Sequence, residues 1–554
     1  MRCLITATKA MGYSDIYLDY LCGCGSAGSF YRAGSIDEAA AQLDGRQHDR
    51  EKIAAILTRQ NRAYHSSDHT LANIERLREN DALCVFAGQQ AGLFGGPMLV
   101  MIKALAIVKA ARLYSQQLKR PVIPIFWIAG DDHDFEEANH TFVLNRQTEP
   151  VRLEYASAPP EELPTAEILF DNAQQLDQAK TLLRETLGQS DFTDELYELI
   201  DRCYTPRDSM VSAFGKFMAA LTREHGLALF SPGDAEAKRL AAPLFKAIVS
   251  RQDDLHRILS ERNHAISENG YHIQVEKKEN SAHLFYNSNG RKPLLRNGNR
   301  FTVGDQVLTK EELWARIDSE PEKFSPDVIT RPILQSYLFP VLSQKAGPSE
   351  IAYLAQINPL FELFGLATPY HIARASTTIV ENRFEQLLHD NHIEFGELTG
   401  DIEQVINRVL AQTFPASLEK EFALLRRDVN FHVKKFAAET LRFDPGLDKF
   451  ARQTHGKIDF ALKNFESKVF SSHKKKSQEV RDRIYRLHRA LYPNRGLQER
   501  CINISYFLSR YGFGFIRFLY DSLDSEEKAH QLIDLMEYET QGATSTPAAS
   551  SNAN

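Results

Sequence analysis

At 554 residues and 43% hydrophobic composition, the chain is long enough to bury a large core and to form about two to four structural units. Its 66 basic and 73 acidic residues leave a formal charge of −7, which argues against a general affinity for nucleic-acid phosphates or anionic membranes. The first residues lack a continuous apolar signal core, and the most apolar window, Met98 to Ala111, is interrupted by Lys103 and Lys109; a cytoplasmic chain with no transmembrane segment is expected.

The first 80 residues read as helices, the last of them a polar-capped segment from Ser66 to Arg78. Cys22 and Cys24 fall in this region. The six cysteines are few and scattered, so a disulfide framework is not expected. No second Cys or His pair stands at zinc-site spacing, and the C-x-C pair reads as two small buried or loop thiols. Ala82 to Ala87 is a short apolar run, followed by a glycine-rich turn, a helical stretch from about Pro97 to Leu118 and a second apolar run, Val122 to Ile128. This is a βαβ unit, and its right-handed crossover makes two parallel neighbours whose carboxyl ends share one edge.

Further strand-like pieces stand at Leu227 to Phe230, His272 to Val275, Leu284 to Tyr286 and Tyr370 to Ala373, with insertions near 145–225 and 267–310. The fold class is therefore α/β, a Rossmann-like parallel-sheet core over 1–383. From 384 to 495 the texture is helical and charged. Leu418, Phe422, Leu425, Val429 and Phe436 fall at heptad spacing, and Ile458, Leu462, Phe465 and Val469 repeat it beyond Asp444-Pro445-Gly446, which predicts an antiparallel coiled-coil arm. His473 to Lys476 reads as its solvated face. The apolar segment 496–540 reads as helical and docking on the core, and 541–554 as a disordered tail.

Gly88-Gln89-Gln90-Ala91-Gly92-Leu93-Phe94-Gly95-Gly96-Pro97 joins the first strand to its helix. Gly92, Gly95 and Gly96 would let backbone N–H groups approach a phosphate or carboxylate at the helix start. Gln89 and Gln90 add polarity that a mere turn does not require. The second strand ends in Trp127-Ile128-Ala129-Gly130 and empties into Asp131-Asp132-His133-Asp134-Phe135-Glu136-Glu137. Such a cluster suits amine recognition and base catalysis. It lacks the H-E-x-x-H spacing of a zinc site, so no metal is expected; part of it also reads as an acidic cap for the following helix, with Asp134 capping and Glu136 and Glu137 in the first turn. Arg331 and Gln335, then Ser349, Glu350 and Tyr353, supply an anion partner and hydrogen-bonding groups. Arg374, Ser376, Thr377 and Thr378 follow a late strand and read as a phosphate-binding turn.

Together VFAGQQAGLFGGP, PIFWIAGDDHDFEEANH, ITRPILQ, GPSEIAYLAQ, ARASTTIVE and LYPNRGLQERCIN resemble the bacillithiol biosynthesis cysteine-adding enzyme family, BshC, in order and spacing over nearly the whole chain. The resemblance implies a Rossmann-like core with connecting-peptide insertions, similar to class I aminoacyl-tRNA synthetases, and a coiled coil able to form a homodimer. It implies a ligase adding cysteine to glucosaminyl-malate by an amide bond, with ATP or ADP binding. The glycine loop stands where a HIGH-type motif would but has no histidine, and the later loop has no KMSKS sequence.

Amide formation needs an activated carboxyl and a neutral amine. The expected roles are charge stabilisation by the Gly95 and Gly96 amides and Arg374, deprotonation of the amine by His133 oriented by Asp132 or Asp134, and a grip on the malyl carboxylates by Arg331. Two other readings stay open: a nucleotidyl-transferring enzyme acting on another amino-acid or amino-sugar substrate, and a nonenzymatic coiled-coil assembly protein.

Overall fold

The computed structural model describes residues 2–538 apart from 7, 33, 160, 414, 415 and 537. The described residues form two compact units, one drawn from Met1–Asn382 and Leu491–Asn554, the other from Arg383–Ala490. The tail that was expected to be disordered, 541–554, lies outside the described residues, as do the side chains of His473 to Lys476.

The strands in chain order are β1 (Arg2–Ile5), β2 (Leu83–Gln89), β3 (Val122–Ile128), β4 (His140–Leu144), β5 (Pro150–Glu154), β6 (Ala228–Phe230), β7 (Ser281–Asn287), β8 (Arg291–Asn297), β9 (Arg300–Val303), β10 (Gln306–Thr309), β11 (Phe324–Pro326), β12 (Val341–Ala346), β13 (Tyr370–Ala373), β14 (Ser376–Val380) and β15 (His530–Asp534). The central sheet has the order β13-β12-β2-β3-β6, and every pairing in it is parallel. β2 and β3 read as near-continuous apolar runs because both faces are covered. Every residue of β3 is buried, and helix Leu99–Leu118, with 13 buried residues, packs on β2 and β3.

The strand expected at Leu284 to Tyr286 exists, but it belongs to a separate antiparallel sheet, β10-β9-β8-β7-β11, built from the insertion after residue 280. His272 to Val275 is not a strand. The Gln356 side chain bonds both the N–H and the C=O of Val275, at 3.0 Å each, and so occupies the groups a ladder would need. β12, which no sequence signal marked, lies between β2 and β13.

The region before residue 80 is helical as read, apart from β1, and Ser67 caps helix Asp68–Arg76 by accepting from Thr70 N–H. Cys22 and Cys24 are not free thiols but a disulfide on the surface; the left-handed Gly23 between them (φ 67°) turns the chain so that their Cα atoms stand 5.2 Å apart. The closing segment begins with helices and ends in β15, which pairs with both β1 and β14, so it is not helical throughout. No helix among the described residues is long and apolar enough to cross a membrane.

In the second unit, helices Ala416–Phe443 and Asp448–Leu491 are joined at Asp444, whose carboxylate accepts from Gly446 N–H at 2.8 Å. Phe422 meets Phe465 with ring centroids 5.5 Å apart, Arg426 pairs with Asp459, and Asn430 bonds His455. Partners that converge on the turn in this way define an antiparallel hairpin.

Candidate active site

The parallel register sets the site. Gly88 lies opposite Trp127 and Gln89 opposite Ile128, while Ala346 lies opposite Ala373. The segments after β2, β3, β12 and β13 therefore leave the sheet at one edge. Strand order reverses between β2 and β12, and a crevice at the carboxyl ends opens at such a point. A cavity of about 250 Å³ occupies it. Gln89, Gln90 and Trp127 line one side; Arg331, Gln335, Ser349, Glu350 and Tyr353 line the other, with Arg374 also at the wall.

Lys103, from the helix that follows the glycine loop, is buried and ties these walls together. Its ammonium donates to Gly88 O (2.9 Å), Gln89 Oε1 (3.0 Å) and Glu350 Oε2 (2.9 Å). Glu350 in turn accepts from Gly347 N–H at 2.5 Å, at the start of helix Pro348–Ile357. Burial would raise its pKa, but Lys103 and this N–H hold it below the ordinary carboxylate range. Burial pushes the Tyr353 hydroxyl up, so it stays protonated.

Glu137 also reaches the cavity. It accepts from Gln90 Nε2 at 2.7 Å and Gln89 Nε2 at 3.3 Å. Burial, reinforced by Asp134 and Asp132, raises its pKa. The sequence reading placed Glu137 only in a helix's first turn; no spacing signal distinguishes it from Glu136. Arg331 opens helix Arg331–Leu338. No carboxylate of a described residue lies within ion-pair reach of its guanidinium, whereas Lys103 and Arg374 are both paired. Arg500, contributed by the closing segment, is a further cation at the wall.

A second hollow of about 190 Å³ shares Trp127, Ala129 and Arg331 with the first. Asp131, Asp132 and His133 face this one. Arg291 stacks on Phe285, 3.8 Å from the ring centroid, and is fixed by Ser325 Oγ and Pro326 O. Its Nη1 donates to His133 Nδ1 at 3.0 Å. That bond occupies the lone pair at Nδ1 and puts the ring proton on Nε2. Asp132 stands 3.6 Å from the ring but accepts from the His133 backbone N–H. Asp134 does not orient His133: it caps helix Phe135–Ala138 through Glu137 N–H. Asp131 is bound to buried Lys238 at 2.9 Å.

The glycine loop's amides are turned inward. Gly95 N–H donates to Tyr204 Oη (2.8 Å) and Gly96 N–H to Leu93 O (3.0 Å). Gly95 has φ 87°, and a Cβ there would lie 2.8 Å from Phe217; a Cβ on Gly92 would lie 2.7 Å from Gly96 Cα. Packing and a left-handed turn account for these glycines, and none lines either hollow. Ser376, Thr377 and Thr378 form buried β14 rather than a phosphate-binding turn. Ser376 Oγ and Thr377 N–H donate to Glu499 at 2.9 and 2.8 Å, Thr377 Oγ1 donates to Gln531 O, and His530 bonds Ser376 and Thr378. Arg374 is paired with Glu499 at 2.7 Å, both fully buried. Burial opposes its charge, but Glu499 holds the guanidinium protonated. The hydroxyls of Ser376, Thr377 and Thr378 are thus engaged internally and do not fit a nucleotide's phosphates, whereas Arg374 stays at the cavity wall with its Nε unpartnered among the described residues.

Residues 1–375 match the family model described as bacillithiol biosynthesis BshC, N-terminal Rossmann-like domain, and residues 377–535 match its C-terminal coiled-coil domain. Among similar proteins, the "Putative cysteine ligase BshC" of Koribacter versatilis is 32% identical over 513 residues, covering 92% of this chain and 95% of that protein. The protein of the same name from Geobacillus kaustophilus is 31% identical, covering 90% and 94%. That from Salinibacter ruber is 29% identical over 538 residues, covering 95% and 98%.

Proposed function

The chain belongs to the bacillithiol biosynthesis BshC family, and on that footing we propose that it is a cytoplasmic ligase joining cysteine to glucosaminyl-malate by an amide bond. The observation that carries the choice of acceptor is Arg331. Its guanidinium stands between two hollows with no carboxylate of a described residue in ion-pair reach, and a planar cation so placed suits a dicarboxylate such as the malyl group. Gln335, Ser349 and Tyr353 surround it with neutral hydrogen-bonding groups.

The cysteine carboxyl needs activation, and a nucleoside triphosphate is the proposed source of that energy. The wall that would face its phosphates is Arg500 with the start of helix Pro348–Ile357, in place of the β14 hydroxyls. The second copy expected as a partner finds support in the arm, where Phe431, Phe436, Phe443, Phe450 and Phe460 are all more than 60% exposed; so many unburied rings suit a further coiled-coil surface.

Mass spectrometry of mixtures of cysteine, glucosaminyl-malate and ATP tests the reaction. The expected product is the amide, formed only when both organic substrates are present; a nucleotidylated product in its place would assign the chain to the transferase reading. Arg331→Met should raise KM for glucosaminyl-malate by about 10- to 100-fold, the loss of one charged hydrogen-bonding partner, with KM for cysteine little changed. An unchanged KM for glucosaminyl-malate would remove Arg331 from the acceptor site.

A further inference from the structure

We propose that Glu137 is the group that takes the proton from the attacking amine, a role the sequence pattern gave to His133. The inference rests on the ligase reading above and names the proton acceptor within that site. Two hydrogen bonds orient the carboxylate: Gln90 and Gln89 donate to its two oxygens. Both glutamines line the same cavity as Arg331 and Ser349.

The other candidates are engaged. Glu350 is bound by Lys103 and by Gly347 N–H. Asp131 is bound by Lys238, and Asp134 caps a helix. Asp132 accepts from the His133 N–H and, at 3.4 Å, from Gln90 Nε2, stands 3.9 Å from the Arg291 guanidinium, and faces the second hollow. His133 accepts from Arg291 at Nδ1, so neither ring nitrogen is an open acceptor beside the first cavity. Glu137 is the carboxylate of this wall whose partners are neutral amides.

Its electrostatic surroundings fit the role. Asp132 and Asp134 of the same loop face it, Lys103 approaches from the helix after β2, and Arg331 from the far wall. Glu137 keeps an exposed face, and partial desolvation at the cavity together with the two aspartates outweighs the two cations and raises its proton affinity, the direction that suits a general base. In the step, an ammonium N–H bond breaks and its proton passes to Glu137 Oε. The freed lone pair attacks the activated cysteine carbonyl, the C–N bond forms, the nitrogen releases its second proton to solvent, and the acyl–oxygen bond breaks with its electron pair leaving on oxygen. The proton held by Glu137 then passes to that oxygen or to solvent.

The test compares pH–rate profiles of the wild-type enzyme, Glu137→Gln, Glu137→Asp and His133→Gln, with the amide product identified in each case. The wild type should show an acidic limb lying above the ordinary carboxylate range. Glu137→Gln should lose that limb and fall about 100-fold or more in kcat, Glu137→Asp should restore the limb at reduced rate, and His133→Gln should keep it. An intact limb in Glu137→Gln, a limb lost in His133→Gln instead, or a change in KM alone would overturn the proposal. Failure of the wild type to form the amide would overturn the ligase reading itself, and this assignment with it.

Discussion

Replacing Glu499 by glutamine removes a single charge from the most deeply buried ion pair bordering the cavity. Arg374 and Glu499 are 1% and 0% exposed, and the carboxylate also accepts from Ser376 Oγ and Thr377 N–H. The glutamine amide has one acceptor oxygen where the carboxylate had two, and its NH₂ turns donors toward donors. Breaking a buried pair from one side costs about 3–5 kcal/mol, because the partner charge stays desolvated. The lost acceptor for a backbone N–H adds about 1–3 kcal/mol, so Glu499→Gln should lower the stability of the core by roughly 4 kcal/mol or more. The double variant Arg374→Met, Glu499→Leu removes both charges and should recover the ion-pair part, leaving a deficit of about 1–3 kcal/mol at Ser376 and Thr377. Urea unfolding followed by tryptophan fluorescence reports on this unit, since Trp127 and Trp314 are the only tryptophans and both lie in it. A Glu499→Gln protein within 1 kcal/mol of wild type, or a double variant less stable than the single one, would refute the reasoning.

Two other outcomes follow from buried groups. Gly95→Ala should destabilise the core by about 2–4 kcal/mol, the combined effect of a left-handed backbone and a Cβ pressed on Phe217; a stable, fully active variant would leave the loop's glycines unexplained. His371 is fully enclosed, and burial alone pushes its pKa down to about 3. Its folded pKa lies below the unfolded value near 6.5, so its contribution is intact above that value and erodes as pH falls toward 3. Between pH 7 and 5 the loss should be about 2 kcal/mol, and His371→Phe should flatten that part of the stability–pH curve. An equal slope in both proteins would show that His371 is not the group responsible.

The parts of the fold legible in the sequence were those whose signals are local. Leu83–Gln89 and Val122–Ile128 are apolar on both faces because both faces are covered, and the loops after them had to share an edge once the strands were parallel neighbours. Val341–Ala346 escaped notice because it carries Ser343, Gln344 and Lys345 inside a buried strand. Two of its polar groups find partners outside the strand: Lys345 donates to Ser525 O and Glu526, and Gln344 to Gln335. β14 misled for the same reason. A Ser-Thr-Thr run after an arginine looks like a phosphate turn until Glu499 and His530, more than 100 residues away, claim its hydroxyls. In the acidic loop, residue types alone could not separate the carboxylate that faces the cavity from those that cap a helix or hold a lysine; the pairing of Gln89 and Gln90 with Glu137 across adjacent strands makes that distinction.

The closing segment passes beneath the glycine loop as a brace: Asn503 Nδ2 donates to Phe94 O and Gly96 O, Ile502 O accepts from Met98 N–H, and β15 fills the gap between β1 and β14. A ribosome delivers this brace about 400 residues after the loop it supports, with the whole arm made in between. The nascent core must therefore wait, its glycine loop unbraced and its first strand unpaired, until the residues around 500–534 have been made. Chains that stop near residue 500, through a nonsense codon or proteolysis, should lack the Asn503 contacts and β15, leaving the glycine loop unbraced and β1 without its partner strand.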